Sequence, residues 1–125
     1  MSINSNSKVA FIGLGVMGYP MAGYLQQKGY QVTVYNRTTA KAEKWAAQYG
    51  GSWAATPNAA AQGAELVFMC VGNDNDVRSV VYGEHGVLGA MAAGSVLIDH
   101  TTASAELARE LAAAAAEKGV GFLDA

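Results

Sequence analysis

Residues 9–21 read VAFIGLGVMGYPM, and residues 32–38 read VTVYNRT. The first stretch is an apolar run that breaks into glycines and then takes up helical spacing. Gly13, Gly15 and Gly18 stand at the spacing G-x-G-x-x-G, directly after a strand signal and directly before a helix signal. Each glycine has its own physical purpose in that setting. Gly13 permits a tight turn, Gly15 lets the backbone approach a pyrophosphate, and Gly18 lets the helix sit close to the strand. The helix start then presents N–H groups and a positive dipole end to an anion. Gln31–Tyr35, a β-branched alternating run, follows as a second strand.

Strand and helix signals alternate along the rest of the chain. Strands are expected over 8–12, 31–35, 52–54, 65–70, 95–99 and 121–124. Helices are expected over 16–28, from Thr38 or Thr39 to about 48, over 57–62, 76–82 and 104–118. Thr56-Pro57 is an N-cap followed by proline at the first helical position. Gly29, Gly50-Gly51 and Gly119 mark helix ends. Six strands joined by helical crossovers predict an α/β fold: a doubly wound parallel sheet of six strands, of Rossmann type. Residues 1–125 read as one nucleotide-binding domain, with 1–7 as a polar N-terminal tail. The chain stops in or just after its sixth strand, so a longer parent protein is expected.

Composition narrows the function classes. The chain has 125 residues, is 51% hydrophobic and has a formal net charge of −2. That charge argues against general binding to nucleic acid or to acidic membranes. Cys70 is the single cysteine, so no internal disulfide forms, and a reducing compartment is expected. It lies in the apolar run LVFMC, which predicts a buried, inert thiol. MSINSNS at the start lacks an apolar signal core, and no window approaches the ~20 apolar residues of a membrane span. These readings predict a cytoplasmic protein that meets no membrane. No metal site is read.

The end of the second strand decides the cofactor variant. A site for NAD places an acidic residue there, to accept hydrogen bonds from the ribose hydroxyls. Here the tip is Asn36-Arg37-Thr38. Asn36 keeps hydrogen-bonding capacity without repelling an anion, and the planar fork of Arg37 matches a phosphate. Thr38 adds a hydroxyl, and Lys41 follows one helical turn after Arg37. This set favours NADP(H) over NAD(H). Ligands of doubly wound sheets lie beyond the carboxyl ends of the strands, where the strand order reverses. That rule places Val71, Gly72 and Asn73 over the cofactor and brings the loop after Asp99 towards the nicotinamide. Thr101 and Thr102 there can hydrogen-bond a carboxamide or a substrate carboxylate, or else lead into the next helix. His100 is read as a structural or solvated residue, and Asp74 and Asp76 as caps of the helix that follows them.

GLGVMGYPM, YNRT and DHTTASAELARELAAAAAEKGVGFLDA together resemble the β-hydroxyacid dehydrogenase family, whose members include 3-hydroxyisobutyrate dehydrogenase and glyoxylate/succinic semialdehyde reductase. Imine reductases are similar in this region and often carry the Asn-Arg-Thr tip. The resemblance implies that Gly13, Leu14, Gly15, Val16, Met17 and Gly18 hold the pyrophosphate, and that Arg37 marks an NADP-preferring member. It puts the family's substrate loop on Asp99 to Ala105. Thr101 falls where a serine contacts substrate, and Thr102 where a threonine contacts the cofactor. Ala105 replaces the family's proline. The resemblance further implies an all-helical domain after Ala125 that carries the catalytic lysine, so no catalytic residue is expected within 1–125. The expected parent is an oligomeric oxidoreductase that passes a hydride between a nicotinamide cofactor and a small 3-hydroxy acid or semialdehyde. An imine reductase of the same superfamily and a non-catalytic dinucleotide-binding module are the alternatives.

Overall fold

A computed structural model of the chain describes residues 7–100 and 104–124. The elements alternate throughout. β1 is Lys8–Ile12, α1 Gly18–Gln27, β2 Gln31–Tyr35, α2 Thr39–Tyr49 and β3 Ser52–Trp53. α3 is Pro57–Ala61, β4 Leu66–Met69, α4 Asp74–Val81, β5 Val96–Asp99, α5 Ala105–Glu117 and β6 Gly121–Asp124, with a 3-10 turn at Val87–Gly89. The described strands form one six-stranded sheet in the order β3-β2-β1-β4-β5-β6. Every pairing is parallel, as connections through crossover helices require. The order reverses between β1 and β4, and this seam positions the site.

The alternation within β1 explains why both faces of the sheet carry helices. Val9 and Phe11 belong to one core cluster, with Val32, Val34, Ala22 of α1, and Ala42 and Trp45 of α2. Ala10 and Ile12 point to the other cluster, with Met69, Leu97 and apolar residues of α3, α4 and α5. Trp45 is wholly buried. Gly51 lies under its ring, where an added Cβ would come within 2.5 Å of the indole.

Several ends differ from the sequence reading, each for a local reason. α1 begins at Gly18 rather than at residue 16, because the glycine turn extends through Met17. Pro20 therefore still falls in the first turn, where its missing N–H costs little. α4 begins at Asp74, two residues earlier than expected, because Asn73 caps it. Ser7 is not part of a polar tail. It is buried, its hydroxyl donates to Glu65 at 3.1 Å, and its carbonyl accepts from the Gln31 amide at 3.0 Å. Thr56 and Ser104 cap α3 and α5 through their hydroxyls. Thr38 stands at the α2 N-cap in an extended conformation without a side-chain capping bond. No described helix is long and apolar enough to cross a membrane.

Candidate functional site

The glycine loop is built by backbone sterics. Gly13 has φ +101°, and an added Cβ would stand 2.2 Å from the Cys70 carbonyl oxygen at the end of β4. Its amide donates to Tyr35 at 2.9 Å, and Cys70 donates to Ile12 at 2.8 Å, so the loop leaves β1 clamped between both neighbouring strands. A Cβ on Gly18 would meet the Gly13 carbonyl oxygen at 2.3 Å, so the first turn of α1 can lie against the loop only as glycine. Gly15 is different. It has no positive φ, and an added Cβ would meet nothing within 4 Å. Nothing in the protein's own packing demands glycine there, whereas a ligand resting on the bare backbone would.

α1 starts without a side-chain cap at Met17 and without an acidic residue in its first turn. Its positive end is therefore left to act on an anion. Beyond the loop lies a cleft of about 320 Å³. Its walls are residues 13–15 of the loop, 35–38 after β2 and 70–72 after β4, closed by Asp76, Ser79 and Val80 of α4.

The structure thus brings Gly13, Leu14, Gly15, Asn36, Arg37, Thr38, Val71 and Gly72 to one cleft. Val16 and Met17 lie outside its walls and are strongly exposed, and Gly18 is buried behind the loop. Lys41 is exposed in the first turn of α2 and is not one of the residues lining the cleft. Asn73 caps α4, accepting from the Asp76 amide at 2.9 Å. Thr101 and Thr102, expected on substrate and cofactor, lie outside the described residues.

Asn36 is more than a polar tip. Its Oδ1 accepts from the Leu14 amide at 2.9 Å, and its Nδ2 donates to the Thr38 carbonyl at 3.1 Å. One side chain therefore ties the glycine loop to the turn after β2. Arg37 is 80% exposed along its side chain and donates from Nη2 to Asp76 Oδ1 at 2.9 Å.

The two acids expected to cap α4 do other work, because Asn73 has taken that place. Asp76 is a wall of the cleft. Asp74 Oδ1 accepts from the Ser104 amide at 3.0 Å, and its Oδ2 from the Ser104 hydroxyl at 2.6 Å, joining the start of α4 to the start of α5. These hydrogen bonds hold the Asp74 carboxyl below its usual range. The sequence reading missed Asp76 as a cleft residue. Its signal was the capping spacing Asn73…Asp76, which puts Asp76 in the first helical turn, beside the end of β4.

Cys70 is half-buried rather than buried. Burial first, and then the nearby Asp99, push its thiol up, so it remains protonated and a poor nucleophile. The His100 ring stacks on Phe68, with centroids 5.8 Å apart and planes 14° apart, and Phe68 stacks in turn on Phe11. On α4 and α5, Glu110 receives Arg78 and the Tyr82 hydroxyl, and burial with this bond pushes Tyr82 up to about 12.

A glycine loop feeding a helix start at the switch point of a 3-2-1-4-5-6 parallel sheet defines a dinucleotide-binding domain. The residues present fit such a ligand: the backbone at Gly15 is open, the helix start is uncapped, and a cation stands at the rim. Residues 8–125 match the family model described as the NAD binding domain of 6-phosphogluconate dehydrogenase, and the chain belongs to that family. It is 62% identical over 119 residues to an uncharacterized oxidoreductase of Shewanella frigidimarina, covering 95% of this chain and 41% of that protein. A 3-hydroxyisobutyrate dehydrogenase structure from Mycobacterium tuberculosis, with L-serine, is 30% identical with a TM-score of 0.85, over 95% of this chain and 40% of that one. An imine reductase from Myxococcus stipitatus in complex with NADP+ is 30% identical with a TM-score of 0.83, over 94% and 39% of the two chains. A variant from the same organism, in complex with NAD+, is 26% identical with a TM-score of 0.84, over 95% and 40%. The chain thus spans about two-fifths of the length of these proteins.

Proposed function

We propose that this domain binds NADP(H) and serves as the cofactor half of an oxidoreductase acting on a small 3-hydroxy acid or its semialdehyde. The observation that carries the cofactor choice is Arg37. It stands exposed at the rim of the cleft, beside Asn36 and Thr38, with no carboxylate at the tip of β2. A 2′-phosphate would find there a guanidinium fork, held on one edge by Asp76, and a hydroxyl, with no acid on β2 itself.

Residues 13–15 and the start of α1 would hold the pyrophosphate, Asn36 would keep the loop in shape, and Val71 and Gly72 would border the adenosine half. The bound nicotinamide would supply hydride transfer at its C4 position, and the protein's share is binding and orientation. The semialdehyde reading rests on the sequence motifs and on the similarity to a 3-hydroxyisobutyrate dehydrogenase. The near-equal likeness to an imine reductase supports a C=N substrate as the second reading.

Titration of the purified chain with NADPH and NADH, followed by nicotinamide fluorescence, tests the cofactor choice. Tighter binding of NADPH, reduced at least about ten-fold by Arg37→Ala, is expected for a lost charge-assisted phosphate contact. Equal binding of both cofactors by the unmodified chain would overturn it. The chain alone is expected to turn over semialdehydes or imines negligibly.

A further inference from the structure

The sequence lacks an acid at the end of β2, yet the structure supplies one from the opposite wall. Asp76 lies 39 residues after Arg37 and meets it across the cleft, Oδ1 to Nη2 at 2.9 Å. The two partners are unequally enclosed: the side chain of Arg37 is 80% exposed and that of Asp76 is 29% exposed. Asp76 is also fixed on several sides. Its amide is capped by Asn73, and its carbonyl accepts from the Ser79 hydroxyl at 2.7 Å. Its second carboxylate oxygen lies over Gly72, where a Cβ would come within 2.6 Å of it. Any larger residue at position 72 would push that carboxylate aside.

We infer that Asp76 is a specificity-setting residue: it draws the Arg37 guanidinium across the cleft and thereby moderates the preference for a 2′-phosphorylated dinucleotide. This rests on the reading that Arg37 faces the 2′-phosphate. A phosphate dianion approaching Arg37 meets a cation already half neutralised, with a like charge beside it. The guanidinium has five N–H donors, so it can keep Asp76 on one edge and offer another to the phosphate, but at reduced net charge. A dinucleotide with a free 2′-hydroxyl meets no such opposition, because the hydroxyl can donate to the Asp76 carboxylate. The domain thus carries the cation suited to NADPH and the anion suited to NADH, in one ion pair.

The test is a double-mutant cycle on the 125-residue chain. NADPH and NADH are titrated against the unmodified chain, Asp76→Asn, Arg37→Ala and the double variant. Asp76→Asn is expected to tighten NADPH about five-fold, the upper range for an exposed ion pair, while leaving NADH unchanged or weaker. The gain should shrink in high salt and should be smaller in the Arg37→Ala background, where only the repulsion between carboxylate and phosphate remains to be relieved. Asp76→Glu, which keeps the charge, should return the NADPH/NADH ratio to that of the unmodified chain. Asp76→Ser serves as the neutral variant if the asparagine form melts early by circular dichroism. An unchanged ratio in the neutral variant would overturn the inference, as would a gain of equal size with and without Arg37. Failure of the underlying cofactor reading looks different: Arg37→Ala then leaves the ratio unchanged while Asp76 is intact.

Discussion

The Oδ1 of Asn36 accepts the Leu14 amide at 2.9 Å, a bond between the tip of β2 and the middle of the glycine loop. It makes the residue at the tip of β2 a brace for the glycine loop. Truncation to Asn36→Ala leaves a part-buried N–H without its acceptor. The expected cost is about 1–3 kcal/mol, read in urea melts. On the proposed function the loop would serve the pyrophosphate common to both cofactors, so binding of NADPH and NADH should weaken together. Loss confined to NADPH would mean that Asn36 acts at the 2′ position alone.

Gly13 and Gly15 should respond oppositely to the same added methyl group. Gly13→Ala forces an L side chain into φ +101° and against the Cys70 carbonyl, and should destabilise by at least about 2 kcal/mol. Gly15→Ala meets open space and should change stability by less than about 1 kcal/mol. Its NADPH affinity should nevertheless fall about ten-fold or more, since the methyl occupies the approach to the backbone. Thermal melts paired with titrations separate the two effects.

Asp74 gives a pH signature. Its carboxyl is held below the ordinary value of 3.8, chiefly by the Ser104 hydroxyl and then by the Ser104 amide. A carboxyl with a lowered folded-state pKa contributes stability above its unfolded value, and that contribution is lost as pH falls through the folded value. The gap in Tm between the unmodified chain and Asp74→Asn should therefore be constant near neutrality and should close below pH 3.8. A gap that persists in acid would place the effect outside the ionised carboxylate.

Trp45 separates volume from hydrogen bonding. Its ring is fully buried, and its indole N–H has no hydrogen-bond partner among the described residues. Trp45→Ala should cost about 3–5 kcal/mol, and Trp45→Phe less than about 2 kcal/mol, since no hydrogen bond is lost with the indole. Chemical denaturation of the three proteins compares them directly.

The fold was readable from local chemistry, because strand runs, glycine stops and caps each act over a few residues. Lys8–Ile12 and Gln31–Tyr35 fall where alternation and the glycine turn put them. The glycine loop was equally legible, since the roles of Gly13 and Gly18 follow from sterics within one β-α unit. The partners of Asn36, Arg37 and Asp74 were not, for these bonds span 22, 39 and 30 residues. No periodicity reports contacts between the ends of different crossovers.

The seam between β1 and β4 has a consequence for folding. Gly13 is clamped by Tyr35 on one side and sits against Cys70 on the other, so the cleft has no walls until strands far apart in the chain have joined. A partly folded β1-α1-β2 unit could pair its two strands in parallel and still grip nothing. Bound nucleotide would therefore act on the global unfolding equilibrium rather than on one local region, raising the protection of slow-exchanging amides in β5 as much as those beside the loop.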